Sequence, residues 1–140
     1  MKKMILTVGL FVLALLPFHA NAEKAQMTDP ATLYAVDFYA DWCGSCQALK
    51  PILEKARGKA DLDNHNVLFV TLDLTDATKR NQSALHASAL GLGDFYKENN
   101  GKTGFVLLVN SKTNEIVGKL TKDMDANQVA ATIKEKIAAL

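Results

Sequence analysis

Two cysteines, Cys43 and Cys46, stand three positions apart, and they are the only thiols in the chain. At the opening of a helix this spacing brings the sulfurs within disulfide reach across one turn, so the bond can open and close without refolding. Two cysteines are too few for a disulfide framework or a four-thiolate metal site. Cys43 would occupy the helix N-terminus, where unpaired N–H groups and the helix dipole favour the thiolate. It is the candidate nucleophile, with a pKa expected below the free value of about 8.5. Cys46, one turn further in on the apolar face, is the shielded thiol that would attack a mixed disulfide and release the product. The other reading is a structural disulfide, but closing so short a loop constrains the unfolded chain little.

Those roles need a strand that ends just before Cys43 and a helix that begins there. Leu33 to Ala40 (LYAVDFYA) reads as a buried β-strand carrying one carboxylate, Asp37. Cys46, Leu49, Ile52, Leu53 and Ala56 then share one helical face, with Gly58 near the stop. Val67 to Leu74 predicts a second strand. Lys79 to Leu90 predicts a second helix, with Leu85 and Ala89 inward, broken by Gly91-Leu92-Gly93. Phe105 to Val109 is a continuous apolar run, as in a strand covered on both faces. Ser111 to Asn114 turns the chain into Glu115 to Lys119. Asp125 and Gln128 form a capping box ahead of a helix whose stripe is Val129, Ile133 and Ile137. This order predicts one α/β domain, a mixed sheet with helices on both faces.

A length of 140 residues suits one domain. With 49% apolar and 22% charged residues and a net charge of +1, neither disorder nor a polycation that binds nucleic acid is expected. Residues 1–22 read as a secretory signal peptide: Lys2 and Lys3, an apolar run from Met4 to Phe18, then Ala20-Asn21-Ala22. The run is shorter than the roughly 20 residues that span a bilayer, and Pro17 ends it, so no stable membrane anchor is expected after cleavage behind Ala22. Residues 23–140 remain as the domain, and losing two lysines takes the charge from +1 to −1. The leader is bacterial in style and predicts the periplasm, an oxidising compartment. His65 and His86 stand alone. Gly101-Lys102-Thr103 lacks the upstream glycine of a phosphate loop and precedes a strand. No metal or cofactor is expected.

The run Val36-Asp37-Phe38-Tyr39-Ala40-Asp41-Trp42-Cys43-Gly44-Ser45-Cys46, continued by Gln47-Ala48-Leu49-Lys50-Pro51-Ile52-Leu53, resembles the active-site strand and helix of the thioredoxin family. Three features carry the likeness: Asp37 six residues before the first cysteine, Trp42 immediately before it, and Pro51 five residues after the second. Phe38 to Cys43 is especially similar to the periplasmic thioredoxin-like domain of the transmembrane reductase DsbD. The resemblance implies a thioredoxin-like fold of about four strands, trimmed at the N-terminus because Glu23 to Thr32 is short. It implies that Asp37 takes the proton of Cys46, and burial among apolar neighbours would raise its pKa toward neutrality. It implies that Trp42 covers the disulfide and contacts substrate. Gly44 and Ser45 shape the turn, and Pro51 forfeits the hydrogen bond to the Gln47 carbonyl, orienting the first turn. Full thioredoxins carry a lysine across from the acid; the matching position here is Thr71.

Thioredoxin-like proteins also place a cis-proline facing the thiols, and this chain has no proline after Pro51. The position falls at or next to Gly104, preceded by Thr103. A cis bond without proline costs about 2.5–4 kcal/mol, so a trans link is expected. Glycine permits close backbone approach, which makes Thr103 and Gly104 the second wall of the substrate groove. The stretch from Asp94 to Lys102 is long enough to overhang it. The expected function is a periplasmic thiol–disulfide oxidoreductase acting on protein thiols and disulfides, with a membrane electron carrier as redox partner. Gly44-Ser45 is closer to the glycine–proline pair of reductants than to histidine-bearing oxidants, favouring reduction. A disulfide oxidase or isomerase, or a non-catalytic binding module of thioredoxin shape with a structural disulfide, are the alternatives.

Overall fold

The computed structural model describes residues 31–60, 62 and 66–140; the expected leader, Pro30 and His65 lie outside them. Along the chain run β1 (Leu33–Tyr39), α1 (Gly44–Ala60), β2 (Val67–Asp73), α2 (Ala77–Ala89), α3 (Gly93–Glu98), β3 (Phe105–Asn110), β4 (Ile116–Thr121) and α4 (Ala126–Ala138). Among the described residues the strands form one mixed sheet of order β2-β1-β3-β4. β1 and β2 are parallel, joined through α1, whereas β1–β3 and β3–β4 are antiparallel. Central placement explains the composition of β1 and β3, whose side chains meet helices on both faces.

Alternation along β1 sorts the two cores. Leu33 and Ala35 join Leu49 and Ala56 of α1 and Val129, Ala130 and Ile133 of α4 on one face. Val36 and Phe38 join Ala87 of α2, and Leu92 and Tyr96 beside and within α3, on the other. Asp37 therefore projects on the α1 side of the sheet. The capping box is present as the spacing predicts: Asp125 accepts from the backbone of Asn127 and Gln128, and Gln128 reaches back to the Asp125 N–H at 2.8 Å.

α1 ends at Ala60, near Gly58 as the sequence indicates; Ala56 is fully buried, and Lys59 donates to Asn127 of α4 at 3.0 Å, so the last turn is held despite the glycine. One expectation changes: α2 turns Ser83 and Ala87 inward and leaves Leu85 74% exposed and Ala89 exposed. Two positions along a helix are about 200° apart, so the stripe lies on the opposite side. Ser83 is accommodated because its hydroxyl donates to the Asp73 carbonyl at 3.0 Å. The stretch after Gly91 carries a further helix. It opens with α3, docked on α2 by the Tyr96 hydroxyl donating to the Arg80 carbonyl at 2.8 Å.

Candidate active site

Cys43 is the N-cap of α1. Its carbonyl accepts from the N–H groups of Cys46 and Gln47 at 3.0 and 3.1 Å, and its sulfur accepts from the Cys46 N–H at 3.2 Å. That is the bond an N-cap side chain makes to the third helical residue, here with sulfur in place of oxygen. A donor aimed at the sulfur and the positive helix end both favour the thiolate of Cys43 once the pair is reduced. In the structure Cys43 and Cys46 are joined as a disulfide, with Cα atoms 5.3 Å apart. Cys43 keeps 8% exposure and Cys46 only 2%, so attack from outside is directed at Cys43.

Asp37 stands on β1 one residue before Phe38, whose carbonyl lies 3.7 Å from the Cys46 sulfur. Burial pushes the Asp37 carboxyl up from 3.8 to about 6, because losing water disfavours the charged form. In register on β2 its neighbour is Thr71, so the sheet offers a hydroxyl-bearing residue and not a cation at that place. The carboxyl borders a cleft of about 390 Å³ that also takes in Tyr39, Lys50, Arg57, Phe69 and Thr71, which gives its proton a way to water. Arg57 stacks on Phe69 with its guanidinium carbon 4.2 Å from the ring centre.

Thr103 and Gly104 lead into β3 on the thiol side of the sheet. The Thr103–Gly104 link is trans, and Gly104 has φ +90°, a conformation that excludes proline and strains any other side chain. A Cβ on Gly104 would sit 2.7 Å from the Ser45 Cβ and 3.4 Å from the Cys43 sulfur. Glycine is thus required twice, by the backbone and by the approach of α1. Gly44 differs: a Cβ there would meet nothing within 4 Å. Trp42 is 62% exposed, yet its indole N–H donates to the Thr75 carbonyl at 3.1 Å, so the ring is fixed while its face stays open. Pro51 lies inside α1, one turn after Gln47, whose side chain donates to the Asp41 carbonyl at 2.7 Å.

Sequence reasoning missed the roles of Asp41, Asp73, Thr75 and Lys79, a network that reaches the Trp42 indole through Thr75. Thr75 hydrogen-bonds the Asp41 N–H, and Lys79 bridges Asp41 and Asp73. The one available signal was the polar run after β2, which must emerge at the same end of the sheet as Cys43 because β1 and β2 are parallel.

A four-stranded mixed sheet with a cysteine pair at the start of its first crossover helix defines a thioredoxin-like protein. The thioredoxin family model matches residues 16–89, just over half of the sequence, and the chain belongs to that family. It is 44% identical over 58 residues to the thioredoxin of Ictalurus punctatus, covering 41% of this chain and 52% of that one. It is also 44% identical over 43 residues to protein disulfide isomerase-like 2-3 of Oryza sativa subsp. japonica, covering 31% of this chain and 10% of the relative. The match thus spans about half of the curated thioredoxin and a tenth of the isomerase-like protein. Among solved structures, StoA from Bacillus subtilis superposes with a TM-score of 0.51 at 20% identity, over 76% of this chain and 85% of that one, a likeness of fold.

Proposed function

We propose that the protein is a thiol–disulfide oxidoreductase that reduces disulfides of other proteins in the bacterial periplasm. The observation that carries this reading is the placement of Cys43: N-cap of α1, sulfur facing the Cys46 N–H, more exposed than Cys46. In the reduced protein the Cys43 thiolate attacks one sulfur of a substrate disulfide, forming a mixed disulfide and expelling the other sulfur as a thiolate, which takes a proton from water. Cys46 then loses its proton to Asp37 and attacks the Cys43 sulfur. The Cys43–Cys46 disulfide forms and the second substrate thiol leaves. Two electrons have passed from the dithiol to the substrate.

Electrons would return from a membrane thiol carrier, as suits a chain similar in Phe38 to Cys43 to the periplasmic domain of DsbD. Residues 1–22 are proposed to be the leader, cleaved behind Ala22. Export from a bacterial host followed by N-terminal sequencing is expected to find Glu23 first; a full-length, membrane-bound product would refute cleavage.

The function is tested with Cys46→Ser, which keeps the nucleophile and removes the resolving thiol. Incubated with a disulfide-bonded protein, this variant accumulates a mixed disulfide through Cys43, visible as a band that reductant dissolves. No adduct, or one equally abundant in Cys43→Ser, would overturn the reading. The potential of the pair in redox buffers gives the direction: near the −270 mV typical of thioredoxin supports reduction, and near −120 mV supports oxidation instead.

A further inference from the structure

Beside Trp42 lies a polar network that the thiol chemistry leaves unused. Lys79, in the first turn of α2, holds its Nζ 3.2 Å from Asp41 Oδ2 and 3.0 Å from Asp73 Oδ2, joining the loop before Cys43 to the end of β2. Both carboxylates are engaged further. The Tyr39 hydroxyl donates to Asp41 Oδ1 at 2.9 Å, and the Thr75 N–H and hydroxyl donate to Asp73 Oδ1. Thr75 closes the circuit: its hydroxyl oxygen accepts the Asp41 N–H at 2.9 Å, and its carbonyl accepts the Trp42 indole N–H at 3.1 Å.

An isolated surface ion pair contributes little. Here one ammonium is shared by two acids whose other oxygens are already fixed, so each contact restrains the next. The hydrogen bonds that Lys79 donates to Asp73 and Asp41 pull its ammonium above its ordinary range. For Asp73, burial pushes upward, but the bonds from Thr75 and Lys79 outweigh it and hold the carboxyl low. Without the ammonium, two carboxylates would face each other across the gap it fills. The loop carrying Asp41 and Trp42 could relieve that repulsion by moving away from Thr75.

We propose that Lys79 is a positioning residue for the thiol site: it clamps the Asp41-Trp42 loop to the β2–α2 junction, so that Trp42 presents a fixed face to a protein substrate. The substrate role rests on the oxidoreductase reading above, whereas the clamp itself does not. Trp42 is the only tryptophan in the chain, so its fluorescence reports the loop without any turnover.

In Lys79→Met, acrylamide quenching of Trp42 is expected to rise and its anisotropy to fall. KM for insulin reduction should increase about three- to fivefold, with kcat unchanged. Lys79→Arg, which keeps the charge, is expected to restore both readouts. Unchanged quenching and KM in folded Lys79→Met would overturn the proposal. So would a loss that Lys79→Arg shares in full. If Lys79→Met does not fold, Asp41→Asn loosens the clamp from the other side, and unchanged Trp42 quenching there would be equally fatal. A wild-type protein that leaves insulin untouched defeats the oxidoreductase reading, while the quenching comparison still judges the clamp.

Discussion

Asp37 gives the sharpest quantitative test. Burial raises its carboxyl from 3.8 to about 6, so the folded state prefers the neutral acid. Stability from this preference is fully present below about pH 4 and is lost as pH rises through about 6. At 1.36 kcal/mol per pKa unit, the loss approaches about 3 kcal/mol above pH 7. Asp37→Asn keeps the shape and removes the ionisation. The stability of the variant relative to the wild type should therefore grow by about 3 kcal/mol between pH 4 and pH 7.5. Urea unfolding of both oxidised proteins across that range measures it. Groups common to both, such as Asp73 and Asp125, cancel in the difference. The same variant lacks the proton acceptor for Cys46, so release of product from the mixed disulfide should slow by about 100-fold or more. In the wild type that step should quicken as pH rises through about 6. A stability difference that does not change with pH would refute the burial argument. An unchanged release step would refute the role in proton transfer.

Two further substitutions probe the local geometry. Gly104→Ala introduces a Cβ at φ +90° and 2.7 Å from the Ser45 Cβ, so it should destabilise by at least the roughly 1–2 kcal/mol of left-handed strain, seen as a lower Tm. Gly104→Pro, although it installs the residue relatives place near this point, cannot adopt that φ and removes the N–H that donates to the Phe38 carbonyl at 2.9 Å; a loss on the order of 3 kcal/mol is expected, and an unchanged Tm would contradict it. Asp125→Ala dismantles the capping box of α4 and should lower stability by about 1 kcal/mol in urea unfolding.

The chemistry-bearing stretch was legible because it is local. Asp37, Trp42, Cys43, Cys46 and Pro51 fall within one strand, one turn and one helix; spacing relates the two thiols, and the family resemblance adds the roles of Asp37 and Trp42. The capping box of Asp125 and Gln128 is equally local. The inward face of α2 was not legible because its apolar stripe is thin: a hydrogen bond from Ser83 to the Asp73 carbonyl takes the place of a hydrophobic contact, and Leu85 is left in solvent. The ring of contacts around Trp42 was hidden for another reason. Trp42 meets Thr75 across 33 positions and Asp41 meets Lys79 across 38, and no periodicity encodes such pairs. They become visible only when the parallel pairing of β1 and β2 brings both strand ends to one edge.

The same topology explains how a site can form without the family's proline. The Phe38 carbonyl at the end of β1 is a common reference point: Gly104 N–H donates to it at 2.9 Å, and the Cys46 sulfur lies 3.7 Å from it. One strand therefore fixes the acid at position 37, the buried thiol and the glycine that faces Cys43. Ser45 occupies the space that a side chain at 104 would need, so the two positions are coupled sterically. If Ser45 sets the limit, Ser45→Gly should recover part of the stability that Gly104→Ala loses, leaving only the backbone strain. Full additivity of the two changes would show that Ser45 and position 104 do not share that space.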